Sequence, residues 1–150
     1  MQLTVPGTLD ALKPIAEFLA SAAAAASLDK KTAYKLRLAV DEIATNIVLY
    51  GYRAAGLSGD IQLTAVVEED ILEVTLEDRA IRYNPMQTEA VEAAELERPL
   101  GERAMGGLGV YLAIQSVDQF QYEWVGNRNR NIFRVNRPRL LGLSQPGGEA

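Results

Sequence analysis

Between residues 36 and 52 the apolar positions Leu36, Val40, Ile43 and Ile47 recur at helical intervals, which predicts a helix with one narrow buried stripe. Ser27 or Asp29 can cap it, and the pattern ends near Gly51 or Tyr52. Upstream, residues 2–5 read as a short strand closed by Pro6-Gly7. Ile15, Phe18, Leu19 and Ala22 then mark the buried side of a helix running from a Thr8 or Asp10 cap to about Ala26, with Pro14 in its early turns or bending it. Downstream the period changes to two. Ile61, Leu63, Ala65 and Val67 alternate with polar residues, Glu68-Glu69-Asp70 turns the chain, and Leu72, Val74 and Leu76 alternate again, which predicts an antiparallel hairpin. Asn84-Pro85 ends this region. Residues 86–105 are rich in Glu and Ala, include Pro99 and Gly101, and have no clear period, which predicts a lid. Gly106-Gly107-Leu108-Gly109 opens a helix to about Ser116. Phe120, Tyr122 and Trp124 then alternate as a strand, 126–129 turns, and 132–135 returns as the last strand. The order predicts one α+β domain over residues 1–137, a two-layer sandwich with helices on one face of a mixed, mostly antiparallel sheet. Residues 138–150 read as a frayed tail.

Composition narrows the chemistry. A chain of 150 residues can bury a proper core as one domain. The net charge is −5 and there is no long basic block, which argues against direct nucleic-acid binding. The absence of cysteine excludes a disulfide framework and a thiolate metal site within this chain. The absence of histidine excludes histidine metal ligands, a Ser-His triad and a phosphohistidine acceptor in it. No signal-peptide pattern opens the sequence, and no apolar run approaches the roughly 18 residues of a membrane span, so the expectation is a cytoplasmic protein away from the membrane.

Against that background, three stretches carry candidate chemistry. Glu42 and Asn46 stand one turn apart on a helix face, about a quarter turn from the apolar stripe. Alone, such a pair is usually a solvated boundary pair. Asp78-Arg79-Ala80-Ile81-Arg82-Tyr83-Asn84-Pro85 follows a strand directly; an Asp there can accept from an adenine amino group, although alone it is usually a turn or cap residue. Gly106-Gly107-Leu108-Gly109 precedes a helix, and a glycine-rich turn in that place lets backbone N–H groups approach phosphate. An amide oxygen such as that of Asn46 suits Mg²⁺. A neighbouring Glu can take the proton of an attacking hydroxyl. The order and spacing of the set are far more specific than any member.

The sequence resembles the histidine-kinase-like, GHKL or Bergerat-fold ATPases, and most of all their small anti-sigma-factor serine/threonine kinases. LAVDEIATNIVLYGY resembles the N box, EDRAIRYNP the first glycine box, GGLGVYLAIQSVDQFQYEW the second glycine box with its helix and strand, and GNRNRNIFRV the terminal strand. The resemblance implies that ATP and Mg²⁺ are the cofactors and that Asn46 holds the metal. It implies that Asp78 reads adenine beside Ala80 and Tyr83, and that Gly106, Gly107, Leu108 and Gly109 form the phosphate turn. It implies that Glu42 is the general base for a serine or threonine of a STAS-domain anti-anti-sigma factor, and that the same domain sequesters a sigma factor as a homodimer. The alternative is a nucleotide-dependent or degenerate partner-switching module without phosphotransfer. Three departures bear on the choice. Ala80 stands where the box normally has Gly, so its methyl is expected to weaken nucleotide binding. Arg79 and Arg82 make the box basic. Tyr50 replaces a His found in many relatives.

Overall fold

The computed structural model describes residues 1–97 and 109–139. The strands are β1 (Gln2–Pro6), β2 (Asp60–Val67), β3 (Ile71–Asp78), β4 (Gln119–Val125) and β5 (Arg128–Asn136). The helices are α1 (Leu12–Ala25), α2 (Lys30–Asn46), α3 (Pro85–Leu96) and α4 (Gly109–Ser116). The strands form one sheet in the order β1-β2-β3-β5-β4, and every pairing is antiparallel, so the sheet is not mixed among the described residues.

Period-two alternation decides which side faces the helices. Ile61, Leu63, Ala65, Leu72, Val74, Leu76, Phe133 and Val135 are buried there against Ile15, Leu19, Leu36, Val40 and Ile43. The other face is a charged lattice. Glu73 lies opposite Arg134 and Glu77 opposite Arg130, with ion pairs of 2.8 and 2.9 Å, the kind of cross-strand pair that contributes about 0.2–1 kcal/mol. The β4–β5 turn needs positive φ at two residues in succession, and Gly126 (φ 59°) with Asn127 (φ 60°) supplies it as a type I′ turn.

The α2 stripe is buried as its spacing predicts, and Asp29 caps the helix by accepting from Thr32 N at 2.7 Å. What spacing did not reveal is how the helix continues. From Ile47 to Arg53 the backbone is π-helical, with Ala54 N donating to Leu49 O at 2.9 Å. The wider turn has a consequence for side chains. Tyr52 stands a whole number of α-turns beyond Tyr34, which is 61% exposed, so an uninterrupted α-helix would aim it at solvent. The π segment rotates it into the core, where it is 2% exposed. Its hydroxyl donates to Asp60 O at 2.7 Å and accepts from Arg79 N at 3.1 Å. A Cβ at Gly7 would lie 2.5 Å from the ring, so the β1 turn closes over Tyr52 only because residue 7 has no side chain. Tyr52 thereby fixes the segment that leaves β3.

The first part of residues 86–105 holds a helix that its weak period did not predict. That helix is α3, which packs against α4; residues 98–105 lie outside the described residues. Asn84 accepts from Met86 N at 2.9 Å and Pro85 occupies the first helical position, so the dipeptide read as an end is a helix start. Of the tail, residues 140–150 lie outside the described residues.

Candidate functional site

A cavity of about 460 Å³ opens between α2, the π segment, the ends of β3 and β5, the chain leading to α3, and the first turn of α4. Glu42, Asn46, Asp78, Ala80, Tyr83 and Gly109 all line it. Gly106, Gly107 and Leu108 lie outside the described residues. Residues scattered over nearly 70 positions of sequence are thus brought to one hollow by α2 crossing the ends of the central strands.

The Asp78 end of the cavity is a deep polar floor. Asp78 is 3% exposed. Its Oδ1 accepts from Ala80 N and from Asn129 Nδ2, each at 2.9 Å, while its Oδ2 is buried with no hydrogen-bond partner among the described residues. Burial pushes the carboxyl above its usual range, opposed by those two hydrogen bonds. Asn129 is the organiser. Its Nδ2 also donates to Ile81 O at 3.0 Å, and its Oδ1 accepts from Tyr83 N at 3.0 Å and from the Tyr122 hydroxyl at 2.6 Å. The backbone of Tyr83 is thereby tied to the floor of the cavity. Arg82 stacks on Trp124 of β4, its guanidinium carbon 5.3 Å from the ring centroid. Arg79 points elsewhere, into a second cleft with Asp60, Glu77 and Arg128.

At the other end the Glu42 carboxylate lies against the start of α4. A Cβ on Gly109 would fall 2.5 and 2.6 Å from its two oxygens, so the glycine is what lets α4 begin there. Asn46, half-buried, presents its amide to the same space.

These residues fit a nucleotide. Asp78 Oδ2, without a hydrogen-bond partner among the described residues, is an acceptor for a ligand's donor. No group of three or more acidic side chains among the described residues could cage a metal. The Asn46 amide oxygen on the cavity wall is a hard donor of the kind that could hold Mg²⁺ if phosphates and water completed its shell.

The histidine kinase-like ATPase domain matches residues 5–134. The chain belongs to that family. No curated protein matches it. Membership makes this ATPase domain an ATP-binding, kinase-like module, and its α+β fold is the ATP-binding fold of the family. None of its described helices is long and apolar enough to cross a membrane.

Ala80, at the position where the resembled box has Gly, lies in a close-packed setting. The residue is 5% exposed, and a Cβ on Gly51 would come within 2.8 Å of its own. The Ala80 methyl thus packs on the glycine of the π segment. Gly51→Ala should destabilise the domain by about 1–3 kcal/mol through overpacking. Adding Ala80→Gly should recover most of that loss, giving a clear coupling energy in a denaturant-melt double-mutant cycle. Additive losses would show that the two sites do not touch.

Sequence reasoning missed Asn129, Asn131 and Tyr52. The first two had a signal: they continue the inward face of Phe133 and Val135 with polar residues, where a purely structural strand would be apolar.

Proposed function

We propose that this ATPase domain is an ATP-dependent serine/threonine protein kinase acting on a STAS-type anti-anti-sigma factor. We further propose that it sequesters a sigma factor and works as a cytoplasmic homodimer. The observation that supports this best is the placement of Glu42: one turn from Asn46, its carboxylate against the first residue of α4, at the end of the cavity away from Asp78. Asp78 Oδ2 would accept from the adenine amino group, and Arg82 on Trp124 would wall the base. Asn46 would hold Mg²⁺, whose charge would offset that of the phosphates. The N–H groups at the start of α4 would favour the terminal phosphate. Glu42 would then take the proton from a partner's hydroxyl as its oxygen bonds to the γ-phosphorus and ADP leaves. With no histidine in this chain, a histidine acceptor would have to lie on another protein.

The test is incubation with γ-labelled ATP, Mg²⁺ and the STAS protein encoded nearest in the genome. Label should appear on a serine or threonine of that protein. A stable complex without label would leave the binding-module reading in its place.

A further inference from the structure

We infer that Tyr52 is a positioning residue for nucleotide binding: its hydroxyl, outside the cavity, ties the wall at 79–81 to the edge of β2 at Asp60, and nucleotide affinity depends on that tie. This rests on the cavity being the nucleotide site. Tyr52 does not itself line the cavity; Tyr50 and Gly51 of the same π segment do, and so do Ala80 and Ile81.

Past Asp78 the chain leaves the sheet and runs without regular structure to α3. No strand ladder engages its backbone N–H groups there, so other acceptors must. Ala80 N donates to Asp78 Oδ1, and Tyr83 N to Asn129 Oδ1. The π segment takes two more: Arg79 N donates to the Tyr52 hydroxyl at 3.1 Å, and Ile81 N to Gly51 O at 3.4 Å. The second bond is long, so the hydroxyl is the firmer tie. It is itself anchored, because its one hydrogen is donated to Asp60 O at 2.7 Å. The ring fills the space left by Gly7 and Gly59, and phenylalanine would fill it as well; the oxygen is needed only for its two backbone partners. The π turn that brings Tyr52 inward also sets Gly51 against Ala80, so one local departure from the α-helix supplies both the tie and the wall it steadies. Without the hydroxyl, Arg79 N would face a phenyl edge, and the π segment would hold the wall by a hydrogen bond only at Gly51. A nucleotide would then have to order the wall against which it packs, and such ordering lowers affinity.

Calorimetric titration with ATP and with ADP, each with Mg²⁺, at a temperature well below every melting transition tests this. Tyr52→Phe keeps the ring and removes the hydroxyl. It should lower the melting temperature and, in protein that is still fully folded, weaken ATP and ADP alike by about 3–10-fold, the net worth of one hydrogen bond. Gly59→Ala is the second probe. Gly59 lines the second cleft and not the cavity, and a Cβ there would fall 2.9 Å from the Tyr52 hydroxyl. It should weaken ATP in the wild-type background and add little to Tyr52→Phe. Wild-type affinity in either folded variant, whatever its melting temperature, would make Tyr52 a packing residue only and overturn the inference. Fully additive losses would overturn it as well. Wild type binding no nucleotide at all would overturn the nucleotide-site reading along with it.

Discussion

Glu42→Gln should lower phosphotransfer by about 10²–10⁴-fold while ATP affinity and partner binding stay near wild type. The substitution keeps the shape of the side chain, so its packing against Gly109 survives and only the proton acceptor is lost. Asn46→Ala is the contrast. It removes the amide that would hold Mg²⁺, so nucleotide affinity and transfer should fall together. The two residues share one face of α2 and one cavity, yet they should separate cleanly in single-turnover transfer and equilibrium binding. A Glu42→Gln enzyme of nearly wild-type rate would assign Glu42 a merely electrostatic place at the start of α4.

Asp78→Asn should abolish the rise in melting temperature that ATP gives the wild type, a loss of affinity of at least about 100-fold, without weakening the unliganded protein. Ligand stabilisation follows mass action, so it vanishes with affinity. The amide oxygen of Asn can still accept from Ala80 N and Asn129 Nδ2, but its NH₂ would replace the free Oδ2 acceptor and face the base's own donor. The pH dependence has a definite sign. Burial raises the Asp78 carboxyl above its ordinary 3.8, so the folded state holds the proton more tightly than the unfolded. That contribution to stability is fully present below 3.8 and is lost as pH rises through the raised value. Relative to Asp78→Asn, the unliganded wild type should therefore lose stability across that window and stay level above it. A wild type that gains on the variant as pH rises would contradict the burial account.

The legible part of this protein is what repeats locally. The α2 stripe and the β2–β3 alternation can be read directly from residue spacing, and the order of the boxes from resemblance to the family. The π segment could not: Leu36 to Ile47 keeps the α period, and Leu49-Tyr50-Gly51-Tyr52 contains nothing that forbids another α-turn. The burial of Tyr52 follows from that rotation and from Gly7 and Gly59, both remote in sequence. α3 was legible in principle, since Asn84-Pro85 is a cap followed by a favoured first residue, but the weak period after it hid the helix. Asn129 resembled a turn residue because it follows Gly126-Asn127 so closely; the tight two-residue turn puts it inside β5 instead. The contacts of Gly109 with Glu42 and of Gly51 with Ala80 join segments far apart in the chain, which no local pattern encodes.

The central claim is that the cavity between Asp78 and Glu42 holds a nucleotide. Calorimetric titration of the wild-type chain with ATP in the presence of Mg²⁺ tests it most directly. The account predicts saturable binding of one nucleotide per chain, with a matching rise in melting temperature. No heat and no shift at millimolar nucleotide would contradict it.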